Sequence, residues 1–362
     1  MADFKAKLLV TFLGLHACLI HAQIAQMANS ASPATQAVHA EQLKMMPLHD
    51  KRSFDDANRG LIEAAPDQVI MGPTGRPVWT LKGYEFLSKE DAPDTVHPGL
   101  WRHARVNMAN GLFKVTDRMY QVRGFDLSNM TIIEGDKGLI VIDPLVSTET
   151  AKAAMDLYYK HRPRKPVGAV IYSHSHVDHF GGVRGVVRGE DVASGKVKVI
   201  APAGFMEEAV GENVIAGNAM SRRAIYQFGM LLPRGEKGQV DAGLGKPSAP
   251  GTISLIAPTQ LISKPVEKHR IDGIDIVFEL TPGAEAPAEM IMYHPQFKVL
   301  NMTEIATQNM HNLLPMRGAL VRDALSWSKY IGGALHRYGD KADVLIAQHN
   351  WPVWGAERLQ TT

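Results

Sequence analysis

The chain has 362 residues, 45% of them apolar and 21% charged, enough to bury the core of one large domain with an accessory segment. A net charge of +2 with no long Lys/Arg block argues against nucleic acid or an anionic membrane surface as a partner. The N-terminus reads as a secretory signal over residues 1–22. Lys5 and Lys7 precede a mostly apolar stretch from Leu8 to Ile20, and Ala22 and Ala25 offer small residues for cleavage. That stretch falls short of the about 20 residues that span a bilayer comfortably. The competing reading is a permanent anchor, with His16 and His21 interrupting the apolar run. The sole cysteine, Cys18, lies inside it, so cleavage leaves a mature chain without a thiol. A metal site in that chain must then use His and carboxylate ligands, and the expected location is periplasmic or secreted.

Residues 23–98 are rich in Ala, Pro, Asp and His with poor periodicity, which predicts an extended arm around a domain at 99–362. From Gly111 the pattern changes. Leu112 to Val122, Asn129 to Glu134 and Gly138 to Ile142 read as successive strands separated by short turns. Ser147 is placed to cap a helix from Thr148 to His161, with Ala151, Ala154, Met155 and Tyr158 on one face. The run Val167 to Tyr172 predicts a buried strand. Further strands are expected at Val197–Ile200, Thr252–Ile256, Ile274–Leu280, Lys298–Met302 and Val344–Ala347. Helices are expected from Met206 to Met230, interrupted near Gly211 and Gly217, and from Ala319 to Tyr338. Blocks of strands flanked by helices predict two sheets packed together and covered by helices, an α+β arrangement.

The most informative stretch is His174-Ser175-His176-Val177-Asp178-His179, directly after the strand at Val167–Tyr172. Side chains alternate along a strand, so His174 and His176 can point one way, while the following turn aims Asp178 and His179 at a second point. Such a density of ligand types at a strand end predicts a metal site, and Gly181 and Gly182 permit close backbone approach to it. Two more strands end in ligand-type residues, Glu304 and His349.

The His-x-His-x-Asp-His arrangement, with Asp143-Pro144 ending an earlier strand, resembles the metallo-β-lactamase superfamily over roughly residues 100 to 355. The resemblance implies a four-layer αββα sandwich with metals at one edge. It does not fix the reaction, because lactamases, thioesterases, lactonases, nucleases and sulfatases share the motif. The superfamily's usual third histidine is missing: none occurs between His179 and His269, and His269 sits in a charged stretch read as a solvated turn. Thr281-Pro282-Gly283 leads instead to Glu285, and Glu304 stands where an aspartate normally bridges the metals.

That substitution pattern is similar to the secreted bacterial alkyl sulfatases, which hydrolyse dodecyl sulfate and related detergents. The likeness implies two zinc ions per chain. His174, His176 and Glu285 would hold one, Asp178, His179 and His349 the other, and Glu304 would bridge. In that family Asn and Arg bind the sulfate group and a nearby His protonates the leaving oxygen, roles matched here by Asn309, Arg317 and His311. The implied substrate is a small-molecule alkyl sulfate, hydrolysed to alcohol and sulfate by an activated hydroxide. Alternatives are another hydrolase of the superfamily, a lactamase or thioesterase, or an inactive metal-binding fragment. The family is homodimeric and longer, so this reading expects a shortened member lacking the dimerisation and sterol-carrier-like regions. His294 and His336 are read as structural, and Trp327, Trp351 and Trp354 as core or interface aromatics.

Overall fold

The computed structural model describes residues 30–361, so the signal reading of residues 1–22 and Cys18 lies outside the described residues. The strands are β1 (Leu61–Glu63), β2 (Val69–Met71), β3 (Pro77–Thr80), β4 (Gly111–Thr116), β5 (Met119–Arg123), β6 (Met130–Glu134), β7 (Leu139–Ile142) and β8 (Val167–Ile171). They continue as β9 (Lys198–Pro202), β10 (Gln260–Ile262), β11 (Val266–Ile271), β12 (Ile274–Leu280), β13 (Met290–His294), β14 (Val299–Asn301), β15 (Val344–Ile346) and β16 (Val353–Trp354). One sheet runs β1-β4-β5-β6-β7-β8-β9-β10 and a second β11-β12-β13-β14-β15-β16.

Alternation along the strands explains why two sheets must stack. Ile140 and Ile142 of β7, Ala169 and Ile171 of β8, Ile274, Ile276 and Phe278 of β12, and Met290 and Met292 of β13 meet in one apolar seam between the sheets. The intervening residues point outward. On the first sheet Leu139 and Val141 pack with Ala151, Ala154 and Tyr158 of the helix Thr148–His161. On the second, Ile291, Leu300 and Leu345 pack with Trp327, Ala334 and Tyr338 of the helix Ala324–Tyr338. The result is the expected sandwich of helix, sheet, sheet and helix.

Several local expectations are corrected. Within the segment read as an extended arm, residues 30–98 hold regular structure. They carry helices Pro33–Met45 and Arg52–Asn58, the β2-β3 hairpin, and β1, which extends the first sheet by pairing with β4. The helix Pro33–Met45 buries no residue, which is why no apolar period betrayed it; Ser32 caps it and Asp94 anchors it through Gln36 and His39. The predicted strand from Leu112 to Val122 is a hairpin, broken where Arg118 takes a left-handed conformation with φ 64°. Thr252–Ile256 is not a strand, because its backbone bonds to Thr148 and Gly181 rather than to a neighbouring strand. His269 lies within β11, not a turn, and its partner there is Glu267 at 2.8 Å. The helix expected from Ala319 starts at Ala324, because the Asp323 carboxylate caps it by accepting from the backbone N–H of Leu325 and Ser326.

Candidate metal centre

Parallel pairing of β7 with β8 and of β14 with β15 brings four strand ends to one edge of the sandwich. The residues following them are Asp143, His174 to His179, Glu304 and His349, while Glu285 arrives on the turn between β12 and β13. The backbone there is strained: Asp143, Thr303 and Asn350 all sit in left-handed conformations, with φ between 54° and 61°. The glycines after the motif are required sterically. A Cβ on Gly181 would lie 2.1 Å from the Val146 carbonyl, and one on Gly182 equally close to that of Pro144.

The structure brings all seven proposed ligands together. Ligand atoms of His174, His176, Glu285 and Glu304 lie within 4.8 Å of one another, as do those of Asp178, His179, Glu304 and His349. In the first group His176 Nδ1 is 3.0 Å from Glu285 Oε2, and His174 Nε2 is 3.4 Å from Glu304 Oε1. In the second, that same Oε1 is 2.6 Å from His179 Nε2 and 2.7 Å from His349 Nε2, while Asp178 Oδ2 is 3.0 Å from His179 Nε2. One glutamate oxygen therefore faces both groups. Glu285 Oε2 and His179 Nε2 are buried without a hydrogen-bond partner, although other ligand atoms crowd them. Buried ligand atoms that converge while two of them stay unpartnered fit a shell built around cations, and nitrogen and oxygen donors in these numbers suit divalent transition metals.

Electrostatics agree with that fit. Burial alone would raise the Glu304 carboxyl, but His349, His174 and His179 hold it well below the usual range. Burial would lower His349, yet Glu304 and Asp178 push it up to about 10. His179 is likewise raised, by Asp178 and Asp143 acting against burial. A bound cation would compete with protons for these imidazoles.

Outer contacts fix the ligands. His179 Nδ1 is 3.0 Å from Asp143 Oδ2, and His349 Nδ1 is 3.0 Å from the Leu127 carbonyl. Asp143 is itself held by the Ser173 N–H at 2.7 Å, by the Ser173 hydroxyl and by Gln348. Sequence reasoning missed Asp143 as a support; its place at a strand end before Pro144 was the available signal. Glu289 was also missed. This fully buried residue accepts from the Glu285 and Ala286 N–H groups, and burial together with the Glu285 charge raises its carboxyl well above the usual range.

The three residues proposed for substrate handling fare differently. Arg317 reaches the cluster: its Nη2 is 2.9 Å from His176 Nε2, and its Nη1 donates to Glu212 at 3.0 Å. His311 reaches it as well, with Nε2 2.8 Å from Glu304 Oε2 but lacking hydrogen-bond alignment. The Asn309 side chain instead accepts from Thr307 Oγ1 at 3.4 Å and lies beside Gly243. Asn312 is the asparagine tied to the centre, through Arg322. The Thr307 hydroxyl also donates to the Asn309 carbonyl at 2.8 Å, so both oxygens of Asn309 are engaged locally.

A model of the metallo-β-lactamase superfamily matches residues 123–349. The chain is 54% identical over 332 residues to the alkyl/aryl-sulfatase BDS1 of Saccharomyces cerevisiae, covering 92% of this chain and 51% of that protein. It is equally identical to an (R)-specific secondary-alkylsulfatase of Pseudomonas sp, over 91% of this chain and 50% of that one. The solved structure of the stereoselective inverting sec-alkylsulfatase Pisa1 from Pseudomonas sp. superposes with a TM-score of 0.89 at 54% identity, covering 92% of this chain and 53% of that chain. The chain therefore spans about half the length of the curated relatives it matches. With the αββα sandwich, the strand-end ligand cluster and the family match in agreement, this chain belongs to the metallo-β-lactamase superfamily.

Proposed function

We propose that the chain is a zinc-dependent sulfuric ester hydrolase that converts alkyl sulfates such as dodecyl sulfate to alcohol and inorganic sulfate. The observation that carries this reading is the pair of glutamates, Glu285 and Glu304, completing the cluster in a chain 54% identical to proteins named alkyl sulfatases. His174, His176 and Glu285 would hold one zinc ion, Asp178, His179 and His349 the other, with Glu304 shared. When bound, the two ions supply Lewis acidity and an activated water.

The chain's own residues then handle the ester. Two divalent ions less the carboxylates of Asp178, Glu285 and Glu304 leave roughly one positive charge, little attraction for an anion once a hydroxide is present. Arg317, paired through Nη1 with Glu212, adds a planar, forked set of charged donors at the edge of the cluster, matched to sulfate oxygens. His311 Nε2 faces the same space and is placed to give a hydrogen bond or a proton to the ester oxygen. Met310, Leu314, Met316 and Leu320 around Arg317 are all more than half exposed, an apolar surround that suits an alkyl tail. The Lys-flanked apolar stretch from Leu8 to Ile20 supports export, where detergent-like sulfates would be met.

Purified protein is expected to release sulfate from dodecyl sulfate. Release should stop with a chelator and be absent in His174→Ala. Turnover of nitrocefin or a glutathione thioester in its place would point to another reaction of the superfamily. Stoichiometric zinc with no ester turnover would leave a metal-binding fragment.

A further inference from the structure

Arg322 is buried, 7% exposed, and sits one residue before the Asp323 cap of the helix Ala324–Tyr338. The cap fixes its place, because the Asp323 N–H also donates to the Gly283 carbonyl at 3.0 Å, pinning the helix start against the turn that carries Glu285. From there the guanidinium donates in three directions. Nε reaches the Glu285 carbonyl at 2.7 Å, Nη2 donates to Glu285 Oε1, and the two hydrogens of Nη1 are shared among His311 Nδ1 at 2.8 Å and the carbonyl and side-chain oxygens of Asn312.

Two consequences follow from donor and acceptor bookkeeping. With Oε1 committed to Arg322, Glu285 presents only Oε2 to the cluster, and Oε2 is the buried oxygen left without a hydrogen-bond partner. Because guanidinium nitrogens cannot accept, His311 Nδ1 must be the acceptor, so the ring proton sits on Nε2, the nitrogen facing Glu304. We propose that Arg322 is a positioning residue that holds Glu285 as a one-oxygen ligand and His311 as the Nε2–H tautomer. Glu289 completes the clamp by accepting from the Glu285 N–H at 2.9 Å, so the Glu285 backbone is held at both its N–H and its carbonyl. This inference rests on the metal-binding reading above but not on the choice of substrate.

The test is zinc titration of the metal-free chain against a competing chelator, in wild type, Glu285→Gln, Arg322→Met and Arg322→Lys. Removing an outer partner of a metal ligand typically weakens binding about 10- to 100-fold. Arg322→Met should weaken by that factor the zinc equivalent that Glu285→Gln abolishes and leave the other nearly unchanged, and Arg322→Lys should recover part of the loss. Equal weakening of both equivalents in step with a fall in Tm would reduce Arg322 to a packing role and overturn the proposal. So would unchanged affinities in Arg322→Met. Nitrogen NMR of histidine-labelled wild type, with His311 assigned through His311→Gln, provides a readout that needs no Arg322 variant: the Nε2–H tautomer is expected, and Nδ1–H would overturn the proposal. A wild-type chain that takes up no zinc would instead remove the metal reading itself.

Discussion

The two halves of the candidate metal centre are supported by different parts of the molecule. Behind Asp178, His179 and His349 stand Asp143, Ser173, Gln348 and the Leu127 carbonyl, all at buried strand ends or in the loops beside them. His174 shares that backing through Ser173, but His176 and Glu285 lean on Arg317 and Arg322, which come from the segment after Glu304. That segment also displays Met310, Met316 and Val321 to solvent. One half is thus preorganised by the sandwich, whereas the other is closed by a surface segment that can also touch a substrate.

The largest effect should come from Glu304, because its Oε1 faces both halves. Glu304→Ala is expected to lower kcat/KM on dodecyl sulfate by on the order of 10³-fold or more and to reduce zinc uptake in both halves. Retention of one tight zinc would break the symmetry assigned to it. Asp143→Asn should sharpen the contrast, weakening the zinc of the His179 half about 10- to 100-fold in chelator competition while sparing the Glu285 half. Arg317→Ala tests the surface-built side: with zinc content intact, KM should rise roughly tenfold, the worth of about 1.4 kcal/mol in lost charged hydrogen bonds. A loss confined to kcat would place Arg317 elsewhere in the reaction.

The smallest effect at neutral pH is expected far from the cluster, at the opposite end of β13. His294 is fully buried with neither ring nitrogen hydrogen-bonded, and burial lowers its pKa to about 3. The unfolded chain binds a proton there below about pH 6.5 and the folded chain does not, so stability is lost progressively as pH falls from about 6.5 toward 3. His294→Leu removes that penalty. Its acid-unfolding midpoint, followed by circular dichroism, should move to lower pH while zinc binding stays the same.

How much of this was legible in the sequence follows from the physics of each signal. The strands of the seam and the helix Thr148–His161 announced themselves because apolar alternation and the Ser147 cap act locally. The ligands were legible for a related reason: four lie in one short motif, and Glu285, Glu304 and His349 follow a Pro-Gly turn or the end of an apolar run. Asp143 stood at a strand end before Pro144, but nothing local tied it to His179, and Arg322 and Glu289 carried no comparable mark. Each is a single polar residue whose role depends on which turn packs beside it, and only the fold sets that. The link of Asn312 to Arg322 carried no mark either, since three residues of irregular chain separate it from Asn309. The helix Pro33–Met45 stayed hidden because a helix that buries nothing has no apolar period.

The account depends most on seven side chains acting as one two-ion site, and elemental analysis of the purified, dialysed chain tests that most directly. Two zinc ions per chain in wild type, one in Glu285→Gln and one in His349→Ala are the predicted ratios. A wild-type ratio of one or zero, or two ions retained in both variants, would contradict it.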